Sequence, residues 1–158
     1  MFLLKSVKAL EIFSPAIGKC IEIEDVQDKM FSNRVLGDGA AIIPSGNTFH
    51  SPIDGTLVMI AKTNHAFGIE SESGVSVLVH IGIKTVALDG RGFARLMDTG
   101  RKVKQGDEII RIDREKIPPK TDLTTSIIIT QSFSDRLEKY NQNKDVSTKD
   151  LLLRIGNQ

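Results

Sequence analysis

Two of the chain's three histidines stand where chemistry can be built. His65 lies in "TNHAFGIES" and His80 in "VSVLVHIGIKT". Histidine has an ordinary pKa of about 6.5, so at neutral pH much of it is uncharged and one ring nitrogen offers a lone pair. Paired imidazoles suit three chemistries. One nitrogen can attack and carry a covalent group. One ring can be the acid or base for the other's substrate. Both can ligate a transition metal. Metal binding ordinarily needs a third ligand. His50 reads as structural or solvated, and Cys20 as a packed small hydrophobe. Phosphoryl transfer fits better: a neutral imidazole takes the phosphoryl group as a phosphoramidate, and a second, donating imidazole neutralises charge on its oxygens. The chain has no Walker loop for a nucleotide.

These side chains need a sheet to hold them. In residues 75–83 the odd positions, Val75, Val77, Val79, Ile81 and Ile83, are all apolar and β-branched. They form a core face, and His80 belongs to the other. A loop of even length centred between Glu72 and Ser73 pairs Glu70 with Val75 and Phe67 with Leu78. It also sets His65 opposite His80 and Thr63 opposite Gly82, whose missing side chain leaves room for a ligand. A loop of odd length would shift that register.

Short β-rich runs recur along the chain at 40–43, 65–70, 75–83, 107–113, 126–130 and 151–155, separated by Gly, Pro and Asn clusters. "SPAIGKCIEI" from residue 14 matches "SPIDGTLVMI" from residue 51 at an offset of 37 residues. The expected fold is all-β: an antiparallel β-sandwich with this internal duplicated strand motif and a few short helices. Helices are expected at "RGFARLMD" (91–98) and "SFSDRLEKYN" (132–141). Residues 1–158 read as a single domain, with residues 1–9 as an N-terminal tail too short for a stable surface helix.

Composition excludes several classes. The 21 basic and 20 acidic residues leave a net charge of +1, so nothing drives nucleic-acid binding. The single cysteine excludes an internal disulfide framework and suits a reducing cytoplasm. The sequence shows neither a transmembrane segment nor a signal peptide. A biotinyl or lipoyl carrier would need a lysine at a hairpin tip, and Lys29 in "DKMF" lacks clear flanking strands. A zinc hydrolase would need a third ligand within the chain, and no motif supplies one.

The strings "SPIDGTL", "TNHAFGIES", "SGVSVLVHIGIKTV", "GRGF" and "GRKVKQGDEII" carry a resemblance. The chain resembles the glucose-type enzyme IIA component of the bacterial phosphoenolpyruvate-dependent sugar phosphotransferase system, densely over residues 37 to 113. The resemblance implies a histidine phosphotransferase. His80 would accept a phosphoryl group from the phosphocarrier HPr and pass it to a cysteine on the IIB domain of a sugar permease. His65 would assist and Thr63 would orient it. No cofactor is implied beyond the covalent phosphohistidine. The alternative is a module binding Zn²⁺ through His65 and His80, its site completed by a partner protein. The resemblance places partner docking at Asp28, Met30, Phe31, Val35, Leu36, Leu78 and Ile81, and adds regulated transporters or kinases as further partners. Ile81 also belongs to the core face. Lys84 stands where the family commonly has an acid, which reverses the charge offered to a basic partner.

Overall fold

The structure, a computed structural model, describes residues 9–130 and 136–156. The tail reading therefore falls almost wholly outside the described residues, as does the start of the helix expected from 132. The first half of the chain gives β1 (Leu10–Phe13), β2 (Gly18–Glu22), α1 (Lys29–Ser32), β3 (Asp38–Pro44), β4 (Thr48–His50), β5 (Gly55–Ile60) and β6 (Ala66–Glu70). The second gives β7 (Ser76–Ile81), β8 (Phe93–Arg95), β9 (Lys102–Val103), β10 (Glu108–Ile112), β11 (Thr125–Ile129), β12 (Leu137–Lys139), β13 (Asp145–Val146) and β14 (Leu151–Ile155). Three 3₁₀ turns cover 23–25, 85–88 and 114–116. An eight-stranded sheet runs β13-β2-β3-β11-β7-β6-β5-β9, and two three-stranded sheets run β1-β14-β12 and β4-β10-β8. Every pairing is antiparallel, and the fold is an all-β sandwich.

The large sheet has two unlike faces. Val77, Val79 and Ile81 of β7, Ile127 and Ile129 of β11, and Phe67 and Ile69 of β6 all enter the main core. The opposite face carries His80. Beside it a smaller apolar cluster forms from Ile23, Val26, Phe31, Ala41 and Ile128, with Leu78 and Ile83 packed against it. The segment from 23 to 33 thus covers part of a face that would otherwise meet water.

The repeat is a physical pair. Ser14 and Ser51 are fully buried, and each hydroxyl donates to the carbonyl two residues on, at Ala16 and Ile53, both at 2.6 Å. Each copy clasps the other: the Phe13 N–H donates to the Pro52 carbonyl (3.0 Å) and the His50 N–H to the Pro15 carbonyl (2.7 Å). His50 is structural, as its place in the repeat suggests. Gly18 and Gly55 match as well, since a Cβ on either would lie 2.1 and 2.3 Å from a carbonyl of the neighbouring strand. Replacing either serine by alanine should cost about 1–3 kcal/mol, and about equally in the two copies, because each loses the same buried bond. Urea unfolding of the two variants checks this, and a large difference between them would break the equivalence.

The duplication extends further than the sequence reading found. Asn143 stands where Gly100 does. Both have positive φ (63° and 90°), and their N–H groups donate to Cys20 and Leu57, the matching residues of the two copies. Asp150 and Asp107 likewise accept the N–H of Ser147 and Lys104 through their carboxylates.

Both expected helices are corrected. Residues 93–95 form β8, a short edge strand on β10, with Gly90 and Gly92 (φ 83° and 84°) turning the chain before it. Leu137–Lys139 form β12 on β14. Among the described residues the helices are short and lie elsewhere.

Candidate functional site

The hairpin that brings the two histidines together does not have the expected register. Ser71 accepts the Gly74 N–H and donates to the Val75 carbonyl, so the loop is Glu72-Ser73-Gly74, with Gly74 at φ 91°. Three-residue loops of this kind place a glycine in the left-handed region. The odd length moves every pair by one: Glu70 faces Ser76, Phe67 faces Val79, and His80 faces Ala66. His65 is outside the strand.

The rings meet nevertheless. The Ile81 N–H donates to the His65 carbonyl at 2.7 Å, so His65 is the next residue in line and a continued strand would turn its ring inward with Ile81. The strand stops instead. Asn64 takes φ 61°, a conformation asparagine tolerates, and its side chain is held by Arg95 at 2.8 Å. Freed from strand alternation, the His65 ring lies edge-on to His80, with centroids 5.1 Å apart. Thr63 sits in the same turn and its hydroxyl is 2.6 Å from His65 Nδ1. Thr63 does not pair with Gly82, as the expected register would have it.

His80 is fixed on two sides. The Phe31 ring packs at 4.9 Å, tilted by 52°. Nδ1 lies 3.0 Å from the Gly82 carbonyl. A carbonyl only accepts, so Nδ1 carries the hydrogen, and in the neutral ring the lone pair is on Nε2. Gly82 is required for this geometry. Its φ is 84°, which folds its carbonyl back towards His80, and a Cβ there would lie 2.3 Å from Thr85 Cγ2. Its role is therefore in the backbone rather than in leaving space for a ligand.

Burial pushes the His80 imidazole below the ordinary histidine value, and His65 adds to the effect; the Gly82 bond and the Asp28 carboxylate act against it. Burial also lowers His65. Both rings are thus neutral at pH 7. Protons bind the unfolded chain more readily than the folded one, so the contribution of both groups to stability falls as pH drops below about 6.5 and through their lowered values. His80→Gln should flatten the loss of stability between about pH 7 and pH 5, read by urea unfolding at each pH; an unchanged slope would mean that His80 titrates normally.

The docking positions scatter by burial. Asp28 caps α1, accepting the Met30 N–H at 2.9 Å. Met30 (47%), Val35 (62%) and Leu36 (37%) are exposed, and Leu78 is half-buried. Phe31 is buried against His80 and takes part as packing. Ile81 is fully buried on the core side, which removes it from any surface: strand alternation governs it as it does Val79. Lys84 is exposed at φ 58°. Val86, 59% exposed on the turn after Lys84, went unused in the sequence reading. Its signal was an apolar residue just beyond the strand. Among the described residues no group of three or more His, Cys, Asp or Glu side chains gathers to hold a metal. No described helix is long and apolar enough to cross a membrane.

Residues 10–134 match the family model for the phosphoenolpyruvate-dependent sugar phosphotransferase system, EIIA 1. The glucose-specific EIIA component of Mycoplasma capricolum is 40% identical over 132 residues, covering 83% of this chain and 86% of that protein. That of Haemophilus influenzae is 43% identical over 127 residues, covering 80% and 76%. A solved structure, glucose permease IIA from Mycoplasma capricolum, superimposes with a TM-score of 0.85 at 36% identity, covering 98% of this chain and 99% of that one. A fused EIICBA component of Staphylococcus saprophyticus is 34% identical over 146 residues, which make up 92% of this chain and 22% of that one. The two-histidine β-sandwich thus belongs to the EIIA 1 family of the phosphoenolpyruvate-dependent sugar phosphotransferase system.

Proposed function

We propose that the chain carries phosphoryl groups on His80 Nε2, from phospho-HPr to a cysteine of a IIB domain, in the cytoplasm and for glucose. The observation that carries this reading is the His80 Nδ1 bond to the Gly82 carbonyl, which leaves the lone pair on Nε2 beside the His65 ring. Nε2 attacks the phosphorus of phosphohistidine on HPr; the new N–P bond forms as the donor's N–P bond breaks, and the donor imidazole leaves with its electron pair. A cysteine thiolate then attacks the same phosphorus, and His80 departs neutral. With Thr63 donating into His65 Nδ1, the His65 Nε2 hydrogen is available to the phosphoryl oxygens. The half-buried and exposed apolar residues Leu78, Met30, Val35 and Leu36 would meet partners around the ring, with Asp28 at the rim and Val86 added to the set. The names of the relatives support glucose, and the fused EIICBA relative supports a IIB partner.

Incubation with enzyme I, HPr and labelled phosphoenolpyruvate, followed by mapping, should place acid-labile label on His80. Label on another residue would overturn the assignment. A zinc module would show no label and would bind Zn²⁺ only with a partner's donor present, since His65 and His80 supply two ligands.

A further inference from the structure

We infer that Ser126 is a hydrogen-bond donor to the phosphoryl group on His80; the inference rests on the phosphoryl transfer proposed above. Ser126 lies on β11 directly across from His80 on β7, so the two side chains share a face. Its surroundings are apolar, with Ala41 opposite on β3 and Ile128 next along its own strand on that face. It is 1% exposed and its hydroxyl has no partner. That is unusual here. The buried hydroxyls of Ser14, Ser51, Thr85 and Thr125 all donate to carbonyls. Among the described residues only Gln142 Oε1 is similarly buried and unpartnered.

An unpartnered buried hydroxyl costs stability, and alanine would fill this position without that cost. The residue makes physical sense if an acceptor arrives during the reaction. Directly opposed residues hold their Cβ atoms about 4.5–5.5 Å apart. A phosphoryl group on the His80 ring brings three anionic oxygens to that neighbourhood, and rotation about one side-chain bond aims the hydroxyl at them. A donor to a charged oxygen forms a stronger bond than one to a neutral carbonyl. The hydroxyl therefore works against the resting state and in favour of the phosphorylated one, raising the affinity of His80 for its cargo.

The test is the equilibrium of phosphoryl transfer between purified phospho-HPr and the whole chain, compared for wild type, Ser126→Ala and Ser126→Cys. Cysteine keeps the volume and gives up most of the donor strength. Both variants should shift the equilibrium about tenfold towards phospho-HPr. Their unphosphorylated melting temperatures should equal or exceed that of wild type. An unshifted equilibrium in Ser126→Ala overturns the inference. So does a shift in Ser126→Ala that Ser126→Cys restores, which would mean packing. A wild-type chain that takes no label on His80 fails at the earlier step and removes both readings, whereas a labelled wild type with unshifted variants removes only this one.

Discussion

His80→Ala should take up no acid-labile phosphate from phospho-HPr while keeping its fold. The loss is expected to be complete because no other described side chain can replace the nucleophile. His65 is the nearest imidazole, but its Nδ1 is engaged by Thr63 and its ring stands edge-on to His80. His50 belongs to the clasp between the repeat copies, with Nδ1 3.2 Å from the Pro15 carbonyl. The fold should survive because His80 lies on the outer face of the large sheet, away from the main core, and is only half-buried. Truncation removes packing from Phe31, so some loss of melting temperature is expected, and the circular dichroism spectrum should remain that of a β-sandwich. Labelled phosphate retained by a folded His80→Ala protein would show that another residue carries the group.

The sequence made one part of this site legible with little ambiguity and left another out of reach. Period-two alternation put His80 on the outer face, because Val75, Val77, Val79 and Ile81 form one buried row; Ile83, expected in the same row, lies past the end of the strand and packs with the outer cluster instead. The partner ring does lie beside His80, but not through strand pairing. An even loop would set the two histidines directly opposite each other, but the loop is odd. The histidines converge because the strand ends at Ala66 and Asn64 turns the chain at positive φ, a feature visible only as an asparagine before a histidine. Gly82 was noted for the side chain it lacks; its value is a φ that returns a carbonyl to the ring. The helix expected at 91–98 failed because a three-residue edge strand gives too few positions to reveal a period, while Gly90 and Gly92 marked a turn. The second half of the duplication was harder. It is held by backbone hydrogen bonds and one aspartate in each copy, and Asn143 replaces Gly100, so little identity remains to align.

His65→Ala should slow phosphoryl transfer by about 10²–10³-fold, the loss typical when one donor to a developing negative charge is removed. The effect should be greatest on the step to the IIB cysteine. There the attacking thiolate brings negative charge towards the phosphoryl oxygens, so a neutralising hydrogen bond matters most. Thr63 sets the proton on His65 through the 2.6 Å contact at Nδ1. With the hydroxyl removed in Thr63→Val, Nδ1 can hold the hydrogen and leave Nε2 bare. Thr63→Val should therefore slow the same step, by less than His65→Ala, and the double variant should be no slower than His65→Ala alone, because both substitutions act through one hydrogen. Rapid-quench measurement of each half-reaction separates acceptance from donation. Equal slowing of both halves by His65→Ala, or multiplicative losses in the double variant, would mean that His65 and Thr63 act independently and that the ring beside His80 serves only to pack against it.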